Sequence, residues 1–223
     1  MAILSAISYF LTQHPFWSWP LLVIVGAVLS HLVAVWRRNG RWYLLILPFF
    51  LYGQINIFVA HIFNALLLNA FGVPGTGVVT HSEETASTLN DQNIWAYDAA
   101  LKTADGRDVI TEFDTMSASI WPITNEIRIP PEGERFVTKY IPGFPRNFVI
   151  MHDLSPYGIR NIISEDRGPV DKAANQLAAS PANPDFIAEY REALTKFLDQ
   201  HRSDAGPVLI SKYQRDLDAL PRR

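Results

Sequence analysis

The sequence predicts a membrane protein of mixed class, a two-helix transmembrane hairpin followed by an α+β extramembrane domain. Three observations carry that expectation. From Met1 to Phe71 there is no Asp, Glu or Lys, and the only Arg residues are Arg37, Arg38 and Arg41. After Phe71 charge appears abruptly, with 16 basic and 22 acidic residues and hence a net charge of −6. The apolar pattern of that remainder then changes from near-alternation to a spacing of about 3.6 residues. The expected organisation is a membrane anchor over residues 1–71, a β domain over 72–164, and a helical segment over 165–223 packed on the β domain.

Ser18 to Trp36, SWPLLVIVGAVLSHLVAVW, matches the roughly 20 apolar residues a helix needs to cross a bilayer. Trp42 to Phe71 is longer and is expected to tilt or to continue past the surface. Trp17, Trp19 and Trp36 flank the first run, and Trp42 and Tyr43 open the second, as amphipathic rings do at membrane interfaces. Between the runs, Arg37, Arg38 and Arg41 make a short basic turn in which Gly40 is available for positive φ. Short Arg-rich loops stay cytoplasmic, so both chain termini are expected in the periplasm of a bacterial inner membrane. Ile3, Leu4, Ile7, Phe10 and Leu11 have helical spacing and predict an interfacial helix leading into the first span.

Gly26 and Ser30 form a small-xxx-small pair that permits close helix approach. In the second run Gln54, His61 and Asn64 fall on one helix face, with Asn56 off it. Counting outward from the turn places Gln54 beside Gly26, His61 near Trp17 and His31 near Pro48. These polar residues are expected to make helix contacts, with proton transfer as the functional alternative. Neither span holds the carboxylate a proton relay normally uses.

The β domain is read from alternation and turns. Asn93 to Thr103 and Val109 to Phe113 flank an Asp105-Gly106 hairpin turn. Ile127 to Ile129 and Arg135 to Ile141 flank Pro130-Pro131-Glu132-Gly133. Four to seven short antiparallel strands would form a small sandwich or open barrel. Farther on, Asn183-Pro184-Asp185 combines an N-cap, a first-turn Pro and an acid. Phe186, Ile187, Tyr190, Leu194, Phe197, Leu198 and His201 follow as one apolar stripe. The stripe is expected to pack on the sheet, or alternatively to bind a partner. Val170 to Ala179 and Leu209 to Leu220 are shorter helical candidates.

Gly77-Val78-Val79, Asp105-Gly106-Arg107, Gly133 before Val137 to Tyr140, and Tyr140-Ile141-Pro142-Gly143-Phe144-Pro145 resemble a bacterial family of membrane-anchored small β domains of unknown function. The resemblance covers about Gly75 to Ile150. It implies a small β domain carried on membrane helices, and it supplies no catalytic residues.

Cysteine is absent, which excludes thiol catalysis, thiolate metal sites and disulfides. The acidic remainder argues against nucleic acid as a partner. No phosphate-binding Gly loop, nucleophile elbow or HExxH sequence occurs. His81, Glu83 and Glu84 lack a second half for a metal site, so neither metal nor cofactor is expected. Phe144, Pro145, Arg146 and Phe148 make a stiff, partly apolar projection suited to recognition, or else a rigid connection between strands. The expected function is therefore a periplasmic protein-binding module. It would be an immunity protein facing a basic toxin, or an accessory subunit of an envelope complex. The alternative is a membrane-tethered hydrolase using His152 and Asp153, with Ser155 and His81 as companions.

Overall fold

The computed structural model describes residues 1–89 and 91–221. The chain divides into two compact units, Met1–Ser155 and Pro156–Arg223.

The first unit opens with α1 (Ala2–Gln13) and α2 (Pro15–Arg37), separated only by His14. A residue before proline is pushed out of the helical region, and His14 sits at φ −130°, ψ 58°. Ser18 Oγ closes the break by donating to His14 O at 2.7 Å. A 3-10 segment, Gly40–Leu45, leads into α3 (Ile46–Phe71). Pro15–Arg37 and Gly40–Phe71 are each long and apolar enough to cross a membrane. The turn between them does not draw on the freedom of Gly40. Arg38 takes the left-handed φ of 49° instead, and Asn39 Oδ1 accepts from the Arg41 N–H, so the reversal is complete before Gly40 can contribute.

Gly26 lies against Phe49 and Gly53 against Trp19, with no room at either for a Cβ. His31 Nδ1 is 3.0 Å from the Tyr43 hydroxyl. The helices are thus antiparallel, but with an offset that brings Phe49 to Gly26 in place of Gln54, and Tyr43 to His31 in place of Pro48. The 3-10 segment supplies part of this five-residue shift, since six residues rising about 2.0 Å each where an α-helix rises about 1.5 Å gain roughly 3 Å, the length of about two helical residues. Farther along, Ser8 Oγ donates to Asn64 Oδ1 at 2.7 Å and Asn56 Nδ2 donates to Leu11 O at 3.1 Å. α1 and α2 therefore run in succession down one side of α3.

Only Gly72 separates α3 from β1 (Val73–Leu89), and a Cβ there would stand 2.4 Å from Leu68 O. β2 (Gln92–Lys102) and β3 (Asp108–Asp114) follow through the Asp105-Gly106 turn, with Gly106 at φ 82°. β4 (Ile120–Trp121), β5 (Arg135–Tyr140) and β6 (Phe148–Met151) complete one sheet of order β3-β2-β1-β5-β6-β4. The expected antiparallel sandwich or open barrel gives way to this mixed sheet, since β4 pairs parallel to β6 at the edge opposite β3. Ile127 to Ile129, expected as a strand, is irregular. Pro130 and Pro131 beside it have no N–H to donate, and both sides of β5, its neighbour across that turn, are already paired with β1 and β6.

Successive side chains of β5 and β6 point to opposite faces. One set joins Val79, Ala99, Leu101, Phe113, Phe136 and Phe148 in the sheet core. The other set, Val137, Val149 and Met151, packs with Ile141 and Trp121 against Ala65, Leu67 and Leu68 of α3. The end of α3 is thereby a layer of the sheet domain, whereas the sequence placed it wholly in the anchor. Lys139 Nζ reinforces the joint by donating to Asn69 O at 3.0 Å and Asn69 Oδ1 at 2.7 Å.

The second unit comprises α4 (Pro156–Ala179), α5 (Pro184–His201) and α6 (Pro207–Ala219). α4 begins upstream of the expected boundary at 164/165. As expected, Asn183 caps α5, its side chain accepting from the Asp185 N–H. The α5 stripe has its partners inside this unit, where Leu194, Phe197 and Leu198 cluster with Val170, Ala205 and Tyr213.

Candidate functional site

Two places in the first unit gather the residues singled out by the sequence, a buried polar junction and an apolar cavity beside it.

The junction forms where α1, α3 and the β5–β6 loop meet. Asn64 and Asn147, each 2% exposed, donate to each other through their side-chain amides at 2.8 Å in both directions. Ser8 Oγ adds a bond to Asn64 Oδ1, and Asn64 Nδ2 also donates to Ser119 Oγ at 2.9 Å. Asn147 Nδ2 reaches Ser5 O at 3.0 Å. Every polar atom of the Asn64 side chain is satisfied, as a buried amide requires. The sequence pointed to Asn64 alone. Ser5, Ser8 and Thr12, one polar stripe opposite the apolar stripe of α1, were the legible signal for the rest. Asn147 had none.

The remaining polar residues of the second run separate. Asn56, placed off the polar face by spacing, is buried with Gly53, Ala60 and Asn64. Gln54, expected to touch the first helix, is exposed, because the offset turns the face of Gly53 inward. Ser30 is buried, with its hydroxyl donating to Gly26 O at 2.6 Å. Arg37, Arg38 and Arg41 are exposed at the hairpin turn, and the Arg37 guanidinium lies 4.4 Å from the Trp36 ring centroid.

Phe144, Pro145, Arg146 and Phe148 do not form a free projection. Phe148 is buried against Phe113 and Phe136, and the Phe144 ring meets Tyr9 of α1 edge-on with centroids 5.5 Å apart. Arg146 alone is exposed, and its carbonyl accepts from Thr111 Oγ1 at 3.1 Å. The loop is a socket for α1, since its aromatic side chains gain more by leaving water than by projecting into it.

His152 and Asp153 lie in a short 3-10 turn ahead of Ser155. Ser155 is fully buried, and its hydroxyl donates to Met151 O while accepting from the Val137 N–H at 2.9 Å. Both bonds are to backbone groups, so this hydroxyl ties the 3-10 turn to β5 and β6. His81 Nε2 is 3.9 Å from Glu83 Oε2 on an exposed stretch of β1, while Glu84 accepts from Asn93. Among the described residues no group of three His, Cys, Asp or Glu side chains converges as metal ligands.

The apolar cavity, about 280 Å³, lies between α3 and the far end of the β1–β2 ribbon, lined by Phe16, Ile57, Phe58, His61, Ile94 and Met116 among others. Beside it an open concavity of about 780 Å³ carries Trp95, Tyr97, Ile127 and Ile129. Burial holds the Tyr97 hydroxyl above its usual pKa, against a smaller opposing effect of its hydrogen bond with Thr115. On the β2–β3 turn the Thr103 hydroxyl and, after it, the Arg107 charge hold Asp105 below the ordinary carboxylate range.

Charge is unevenly divided. Residues 72–155 carry 6 basic and 12 acidic side chains, and residues 156–223 carry 10 of each, so the whole excess of acid lies on the sheet portion. Compared with family models, curated proteins and solved structures, the chain gives no match.

Proposed function

We propose that this chain is a two-pass bacterial inner-membrane protein, with the Arg37–Arg41 turn in the cytoplasm and both termini in the periplasm, whose sheet domain binds another protein. The observation that carries the membrane reading is the inverted polarity of its first three helices. Of their twelve buried positions, Ser5, Thr12, Ser18, Gly26, Ser30, Ala34, Gly53, Asn56, Ala60, Asn64 and Ala65 are small or polar, and the one large apolar residue, Leu68, lies at the end of α3 against the sheet. Their exposed positions include Ile3, Trp17, Ile24, Leu32, Leu51 and Phe58. Water would impose the opposite sorting, whereas lipid accepts the apolar exterior and leaves small residues to pack the helix seam. The resemblance to membrane-anchored β domains is in keeping with this arrangement.

The binding role rests on the open concavity. Trp95 and Ile127 are exposed there on an acidic domain, and aromatic residues in such hollows are the usual anchors of protein interfaces. A basic partner has the complementary charge, which fits an immunity protein that occupies a basic toxin in the periplasm. An accessory subunit of an envelope complex would use the same surface. A topology experiment tests the address. A reporter after Arg223 should be active only outside the cytoplasm and one inserted after Arg38 only inside; the reverse pattern ends the proposal. A photo-crosslinking amino acid at Trp95 or Ile127 should capture one discrete protein in living cells, with no such adduct from Val208. Equal adducts from all three sites would remove the case for this concavity.

A further inference from the structure

We propose that the cavity between α3 and the β1–β2 ribbon holds one acyl chain of a membrane phospholipid, so that the sheet domain is seated on a bound lipid as well as on protein. The inference rests on the membrane reading above and adds a ligand to it.

The level of the cavity identifies its occupant. Trp19 lies against Gly53 in the antiparallel hairpin, so Pro15 and Phe16 at the start of α2 stand opposite about Ile57 and Phe58. A span of roughly 20 residues measured from Trp36 ends at Trp17, the depth at which aromatic rings mark the outer interface. The cavity mouth is therefore at the boundary between hydrocarbon and headgroups. Phe16 and Phe58 at that mouth are 68% and 74% exposed, continuous with the apolar exterior of the helices.

The lining has the chemistry of an amphiphile. Ile57, Phe58, Ile94 and Met116 offer an apolar wall, and His61 and Asn93 bring polar groups to the same hollow. Among the described residues none is hydrogen-bonded to the His61 ring, which leaves it available to a headgroup oxygen. At about 280 Å³ the cavity is close to the smaller end of ligand sites, too small for a folded partner and suited to a single chain. An empty hollow at that level would leave apolar side chains facing a void open to lipid, and a chain entering from the bilayer fills it without crossing water.

The test uses the full-length chain in phosphatidylethanolamine and phosphatidylglycerol vesicles containing a phospholipid with a diazirine on its acyl chain. After illumination, labelled residues are mapped by mass spectrometry. Adducts are expected at Ile94 and Met116 on the sheet side, together with Val28 and Leu32 on the helix exterior. Filling the cavity by Met116→Trp in the turn after β3, or by Ile94→Trp on β2, should abolish labelling at the unsubstituted one of the two and leave Val28 and Leu32 unchanged. Labelling of Val28 and Leu32 without Ile94 or Met116 would overturn the lipid site while leaving the membrane anchor intact. Labelling that survives both fillings would show surface contact only and also overturn it. No label at any of the four would overturn the site and the membrane reading together.

Discussion

Over the helix-packed part of α3 the inward positions are Gly53, Asn56, Ala60 and Asn64, and Phe58 faces out; in α5 Leu194, Phe197 and Leu198 face in, and Arg191, Glu192 and Lys196 lie on the hollow outer surface. Both are well-formed helices with a packed face, yet they sort polarity in opposite senses. The first unit's helices carry small and polar residues at their seam, so contact depends on close backbone approach and on hydrogen bonds such as the Asn64–Asn147 pair. The second unit's seam is a hydrophobic cluster of the kind water drives together. The two units thus differ in burial pattern and not in helix content, and the proposed membrane setting rests on that pattern.

The largest expected effect sharpens that contrast directly. Phe197→Ala should destabilise the second unit by about 3–5 kcal/mol, the usual cost of emptying an aromatic core position. Phe58→Ala, at an equally large but exposed ring, should change stability by no more than about 0.5 kcal/mol. Urea unfolding of the detergent-solubilised full chain, followed unit by unit by hydrogen exchange, measures both; a large loss from Phe58 and a small one from Phe197 would break the comparison. Asn64→Leu should cost about 2–4 kcal/mol in the first unit, because Asn147 and Ser119 are left in a dry junction without their partner. Exchange should rise in α1 and the β5–β6 loop while α5 is unchanged. Gly26→Val should cost about 1–3 kcal/mol by driving Phe49 off the seam, with disulfide trapping between engineered cysteines on α2 and α3 as the readout.

The smallest effect is a pH dependence confined to the second unit. The Tyr190 hydroxyl donates to Asp216 at 3.2 Å, and burial together with the Asp216 charge pushes its pKa up to about 12. A neutral form favoured by folding contributes stability that is whole below the unfolded value near pH 10 and declines as pH rises from about 10 to about 12. Tyr190→Phe should flatten the decline in alkaline unfolding curves of the second unit. An unaltered curve would remove Tyr190 as its source.

Much of this architecture was legible because it is local. The apolar runs, the Arg-bearing reversal, the Asp105-Gly106 turn and the Asn183 cap each follow from residues adjacent in the chain. The candidate site was legible only in fragments. Gly26, Ser30 and Asn64 stood out by spacing, but Gln54 was misplaced because counting outward from the turn misses the helix offset, to which a 3-10 segment of six residues contributes. Phe144 and Phe148 looked like a projection because their covers, Tyr9 and Phe113, are remote in sequence. Ile127 to Ile129 alternates well, yet the strand that follows it, β5, is paired on both sides by β1 and β6, and no alternation pattern reveals that.

The sequence by itself determined which stretches are long and apolar enough to cross a membrane, where the chain reverses and where helices begin, since those preferences are properties of single residues and near neighbours. Only the tertiary structure decided that α3 passes without a linker from the anchor into the sheet core, that Asn64 finds Asn147, and that a cavity opens beside His61. Each of these depends on groups separated by many residues meeting in space, and the energy of a buried hydrogen bond or a filled contact exists only once they do.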